Sequence, residues 1–117
     1  MHKSAENYLE TILMLSKNGN VRSVDISAEL EFSKPSVSIA MKKLRLDGYI
    51  EIDQNGYITL TDSGLSIAES MYERHTILSD WLISIGVDKQ TALDDACKIE
   101  HVISEDSFLA IKGFLNK

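Results

Sequence analysis

Apolar residues recur at helical spacing near the start of the chain. Tyr8, Leu9, Ile12, Leu13 and Leu15 mark one face of a first helix. Ser4 is placed to cap it, with Glu6 in its first turn, and Asn18-Gly19-Asn20 ends it. Asn7 and Glu10 lie off the centre of the apolar face. Ser23 is expected to cap a short second helix from Val24 to Leu30, with Ile26 and Leu30 inward. After a turn at Glu31-Phe32, Ser33-Lys34-Pro35 opens a third helix. Serine is a good cap, and proline in the first turn loses no intrahelical bond. Val37, Met41 and Leu44 then share a face, and Gly48 closes the helix with a left-handed cap.

The period changes at residue 49. Tyr49–Asp53 and Tyr57–Leu60 alternate around Gln54-Asn55-Gly56, the signature of a β-hairpin. Thr61-Asp62 then caps a long helix, about Ser63–Ile85, closed by Gly86. Its apolar residues, among them Leu65, Ala68, Met71, Leu78, Trp81 and Ile85, occupy more than one stripe, so the helix faces two partners. A fifth helix is expected from Asp88 to Ile103, and a last one begins at Ser104 with Phe108, Leu109, Ile111, Phe114 and Leu115. The chain therefore reads as mainly α: a winged helix-turn-helix over residues 1–62, then an all-helical part over 63–117.

In a winged helix-turn-helix the third helix enters the DNA major groove by its N-terminal end. Its DNA-facing set is Ser33, Lys34, Pro35, Ser36, Ser38, Ile39, Lys42 and Lys43, with Arg45 nearby. Hydroxyls and ammonium groups at these positions suit phosphates and base edges. The wing tip carries no cation, so it adds little affinity.

Charge changes that picture in one respect. The chain of 117 residues has a net charge of −6, which argues against constitutively tight DNA binding. Residues 1–63 carry seven Lys/Arg against nine Asp/Glu, and residues 64–117 carry five against nine. Binding then relies on the local basic face and on help from an external cation. A single cysteine excludes an internal disulfide and points to a reducing, cytoplasmic setting. No apolar run is long enough to span a bilayer, and no signal-peptide pattern is present.

That cysteine stands in Cys97-Lys98-Ile99-Glu100-His101. On a helix, spacings of three and four put a thiol, a carboxylate and an imidazole on one face. These are three metal-ligand types. Taken alone, the motif reads first as a core cysteine beside two solvated polar residues, and the rest of the chain has to change that reading.

With a winged helix, a long connecting helix and Cys-x-x-Glu-His in that order, the chain resembles the diphtheria toxin repressor family of metal-dependent transcriptional repressors. The segments that carry the resemblance are Glu6-Asn7-Tyr8-Leu9-Glu10, Ser33–Ser38, Arg74-His75 and Asp95–Ser104. It implies a homodimer, a helical dimerisation domain after the winged helix, and operator binding that silences metal-homeostasis genes when metal is bound. It also implies the ligands. Cys97, Glu100 and His101 match the family's main metal ligands, Asn7 the first-helix ligand, Glu10 a carboxylate used by the manganese branch, and His75 a second-site histidine. Cysteine at position 97 follows the iron branch, Glu10 follows the manganese branch, and Asn7 follows neither. Ser79 and Leu93 stand at two other second-site positions, which weakens that site. The SH3-like domain of many iron-type members has no counterpart here, and Ile39 replaces a base-contacting glutamine of some members.

The donor chemistry agrees. Mixed sulfur, nitrogen and oxygen donors suit Fe2+, with Co2+, Ni2+ or Zn2+ as surrogates, whereas Mn2+ prefers harder ligands. The expected protein is an Fe2+-responsive repressor, with a manganese-responsive member of the same family as the alternative. A winged-helix regulator sensing a small molecule or redox state through Cys97 is the other alternative. An enzyme is not expected, nor a small-molecule substrate: no general base stands beside the ligands and no substrate-binding loop is evident.

Overall fold

In the computed structural model, which describes residues 3–117, the elements run α1 (Lys3–Ser16), α2 (Ser23–Leu30), α3 (Lys34–Leu46), β1 (Ile50–Ile52), β2 (Ile58–Leu60), α4 (Asp62–Ser84), α5 (Lys89–Ile99) and α6 (Glu105–Leu115). Two compact units divide within α4, one ending at Glu69 and the other starting at Ser70. No helix among the described residues is long and apolar enough to cross a membrane.

The first unit is a winged helix-turn-helix. Leu9 and Ile12 of α1, Ile26 of α2, Val37 and Met41 of α3, and Ile50 and Ile58 of the hairpin form its buried core. Burying each such side chain contributes about 1.5–3 kcal/mol before entropy is counted. The turn between α2 and α3 passes through Glu31, a non-glycine residue in the left-handed region at φ 57°. Ser27 Oγ ties that turn by donating to the Phe32 carbonyl at 2.6 Å. Ser33 then caps α3, its Oγ accepting from Ser36 N at 3.3 Å, and Pro35 lies in the first turn. Gly48 takes φ 85° just past the helix.

The wing is antiparallel, with Ile50 opposite Leu60 and Ile52 opposite Ile58. Its tip is held by Asp53, whose Oδ1 accepts from the N–H groups of Asn55 and Tyr57 at 2.8 and 2.9 Å. Val21 adds an isolated bridge to Ile58, so the loop after α1 extends the wing. Thr61 joins the wing to α4. Its hydroxyl donates to the Gly48 carbonyl at 2.7 Å and accepts from Gly64 N at 3.2 Å. Gly64 lies so close to the wing that an added Cβ would stand 2.0 Å from the Tyr49 carbonyl oxygen.

The second unit packs Met71 and Leu78 of α4 with Ala92 and Ala96 of α5 and Phe108 of α6, all buried. Asp88 caps α5, accepting from Thr91 N at 3.1 Å and from its hydroxyl at 2.7 Å. Those bonds favour the ionised form and hold the Asp88 carboxyl below its usual range. Ser104 caps α6 through Ser107 N.

Three expected boundaries differ. Ser4 lies inside α1, which already includes Lys3. The N-cap of α2 is Arg22, not Ser23, and the helix start is closed by Arg22 N donating to the Asp25 carboxylate at 2.8 Å. The fifth helix ends at Ile99 rather than Ile103, with Glu100 as its C-cap. His101 therefore stands beyond the helix.

Candidate metal centre

α4 and the end of α5 bring three donors together in the second unit. Ala92 and Ala96 are fully buried and seat α5, and Cys97 follows on the exposed side. Cys97 is thus not a core cysteine. His75 projects from α4, and its Nδ1 is 3.8 Å from Cys97 Sγ and 3.4 Å from Glu100 Oε2. Ligand atoms of His75, Cys97 and Glu100 all lie within 4.8 Å of one another. Donors on one cation with bonds of about 2.0–2.3 Å are separated by roughly 3–4 Å, so small side-chain adjustments suffice.

Glu100 is the centre of this cluster and is only 1 % exposed. Its other oxygen, Oε1, is 3.3 Å from His101 Nε2. Each carboxylate oxygen thus faces a different histidine. Oε2 is buried with no hydrogen bond of acceptable geometry. A buried carboxylate oxygen without a hydrogen bond needs a cation beside it, and without metal the His75 imidazolium, 3.4 Å away, takes that place. The donor set fits a divalent ion in its stead: a thiol sulfur, a carboxylate and an imidazole nitrogen within reach of one point. His75 reports the same field. Its contact with Cys97 first, then the contact with and charge of Glu100, outweigh burial and push its pKa up to about 10.

The remaining expected ligands lie in the first unit, on α1. Glu10 is buried and Asn7 half-buried, so Glu10 is not a solvated helix carboxylate. Ser79, at an expected second-site position, spends its hydroxyl on the Thr76 carbonyl at 3.1 Å. Leu93 is half-buried on α5. The eight DNA-facing candidates, Ser33, Lys34, Pro35, Ser36, Ser38, Ile39, Lys42 and Lys43, are all exposed along α3 and its cap. Arg74 was not singled out by residue chemistry. It is buried beside the cluster, and its only sequence signal is the Arg74-His75 pair within the resemblance.

The comparison with known families settles the class. The iron-dependent repressor N-terminal DNA-binding domain matches residues 1–58, and the iron-dependent repressor metal-binding and dimerisation domain matches residues 61–117. The chain belongs to the iron-dependent repressor family. The family is one of metal-dependent transcriptional repressors that bind operator DNA, so this member is a divalent-metal-dependent regulator and not an enzyme. An HTH-type transcriptional regulator of Methanocaldococcus jannaschii is 31 % identical over all of this chain and 96 % of its own length. The transcriptional regulator MntR of Escherichia coli O6:H1 is 34 % identical over 96 % of this chain and 73 % of its own length. Among solved structures, a manganese-dependent transcriptional repressor in complex with manganese aligns at TM-score 0.87 and 27 % identity over 96 % of this chain. The manganese regulator SloR aligns at TM-score 0.85 and 27 % identity, also over 96 %. The chain spans about half the length of those two solved chains, 52 % and 53 %.

Proposed function

We propose that this repressor is activated by Fe2+, binds operator DNA as a homodimer, and silences genes of metal homeostasis. The observation that carries the reading is the convergence of Cys97, His75 and the buried Glu100 carboxylate, whose ligand atoms lie within 4.8 Å of one another. A thiol in that cluster favours Fe2+ over Mn2+, because softer donors select the softer ion. The ligands we assign in the second unit are Cys97, Glu100, His101 and His75; Asn7 and Glu10 of α1 are the first unit's candidate ligands.

In this reading metal acts on two levels. It neutralises the buried Glu100 carboxylate, and it favours the dimer in which α3 of each subunit presents its N-terminal end to a half-site about one helical turn from the other. Ser33, Lys34, Pro35, Ser36, Ser38, Ile39, Lys42 and Lys43 form the DNA-facing set. The hydroxyls and lysines hold phosphates and base edges, and Ile39 meets an apolar edge such as a thymine methyl.

A manganese-responsive reading is favoured by a different observation. Two of the aligned structures are described as manganese regulators, and Glu10 is a buried hard donor. The two readings are separated by selecting duplexes from a random-sequence pool with metal-loaded protein, then titrating binding anaerobically with Fe2+ and with Mn2+ against metal stoichiometry. Activation by Fe2+ at lower free concentration than Mn2+ supports the iron reading, and the reverse order supports manganese. Glu100→Gln and His101→Ala should remove the metal response and leave the fold. Unchanged metal-stimulated DNA binding in both variants would sink the metal assignment.

A further inference from the structure

We infer that Arg74 is the positioning residue of the metal centre, holding in place the non-helical turn that carries Glu100 and His101. The inference rests on the metal reading above.

The turn needs an outside anchor. α5 ends at Ile99, and residues 100–103 link it to the cap of α6 at Ser104. Within the turn the N–H groups are served locally: Glu100 N by Ala96 O, and Val102 N and Ile103 N by Ile99 O. The carbonyls of a helix end have no such partners. Arg74 supplies them. Its Nη1 donates to the Glu100 carbonyl at 3.1 Å and to the Ile103 carbonyl at 2.8 Å. One guanidinium nitrogen thus grips the turn on both sides of His101.

The clamp is itself fixed. Nη2 meets Glu105 Oε2 at 2.7 Å, and the guanidinium lies over the Phe108 ring at 5.4 Å. Arg74 also directly precedes His75 on α4. The same half-turn of helix therefore presents one donor and, through the clamp, sets where Glu100 and His101 stand relative to it. A planar fork with several fixed donors can do this, whereas a lysine ammonium reaching the same place has one point charge and no fixed fork. Residues that orient ligands in this way typically govern metal affinity by about 10–100-fold.

The test uses the full chain and Co2+ as the probe, read by its thiolate-to-metal charge-transfer band and by the affinity of the titration. Arg74→Lys is the informative variant, because it retains charge and length. Arg74→Met is the second, and Glu73→Gln is the control. Glu73 is 48 % exposed at its side chain and pairs with Lys112 of α6, so its loss removes an ion pair between α4 and α6 and leaves the contacts of Arg74 in place. Affinities are taken at a temperature where circular dichroism shows each metal-free variant folded. The expected result is a roughly 10–100-fold weaker Co2+ affinity and an altered band in Arg74→Lys, with Glu73→Gln close to wild type. A folded Arg74→Lys that binds Co2+ with wild-type affinity and spectrum would overturn the inference. So would an equal loss in Glu73→Gln, since that would make the effect one of general stability. Absence of Co2+ binding to the unaltered chain would instead overturn the metal reading itself.

Discussion

The two charged regions of this molecule obey opposite rules. Along α3, Lys34, Lys42, Lys43 and Arg45 are exposed, and water already solvates them. Around the α5–α6 turn, Glu100 and Arg74 are buried, and every donor and acceptor there must be matched from inside the protein. An exposed cation is free to meet a phosphate from outside at little cost to the fold. A buried carboxylate has no such freedom, and its surroundings must answer it with histidine, guanidinium or metal. Variation on α3 should therefore change binding and spare stability. Variation at the turn should change metal affinity and stability together.

Glu100→Gln breaks this contrast most severely. It removes a ligand, so the loss of metal affinity should exceed the roughly 100-fold typical of residues that only support ligands. It also takes the carboxylate from beside His75, whose raised pKa marks it as that carboxylate's partner, so the metal-free protein should melt at a lower temperature. Parallel metal titration and thermal unfolding in chelator check both. A metal-free variant that melts like wild type would show that the pair of Glu100 and His75 contributes nothing to the fold.

The pH response sharpens the same point. The His75 pKa is raised from 6.5 to about 10, so in the metal-free protein its contribution to stability is complete below about pH 6.5. It declines as pH rises and is lost through about pH 10. Metal must expel that proton. Apparent Mn2+ affinity should accordingly rise about tenfold per pH unit for each proton released, or roughly 100-fold between pH 6.5 and 8.5 for the His75 proton alone, with any proton given up by the Cys97 thiol adding to that rise. Isothermal titration in buffers of different ionisation enthalpy counts the protons. Replacing His75 by alanine should lower the count.

In the first unit the strongest expected effect is steric. Gly64→Ala drives a methyl against the Tyr49 carbonyl, 2.0 Å away, and backbone cannot yield as a flexible side chain can. The cost should be about 2 kcal/mol, within the range for overpacked sites, or roughly 30-fold in the folding equilibrium. Urea unfolding in chelator measures it, and the change should not depend on metal.

Sequence legibility follows the range of the interactions. The helices and wing are written in local terms: Val37, Met41 and Leu44 at helical spacing, Pro35 behind a capping serine, Asn55-Gly56 between alternating runs. Each is decided by neighbours within a few residues. The early end of α5 is not. The turn that follows it receives Arg74, 26 and 29 residues from the carbonyls to which it donates, and no local period carries that information. The bridge between Val21 and Ile58 is hidden for the same reason. At the site, Cys97 and Glu100 were legible from their spacing, since helical geometry reaches as far as the C-cap. His75 beside them was legible only through family resemblance, and the burial of Glu10 went against its place off the apolar face of α1.

The mildest test lies on α3. Lys42 is exposed, and no interior group depends on it. Lys42→Ala should leave thermal stability within about 0.5 kcal/mol of wild type. If Lys42 meets a phosphate, its removal should weaken metal-activated DNA binding only a few-fold and to the same degree on every sequence. It should also lower the slope of log affinity against log salt by about one. A fluorescence-anisotropy titration at several salt concentrations, on selected and scrambled duplexes, reads both quantities. An unchanged slope would remove Lys42 from the DNA face. A change confined to the selected duplex would move it from phosphate to base. Neither result would disturb metal affinity, because the exposed charge on α3 and the buried charge at the turn answer to different partners.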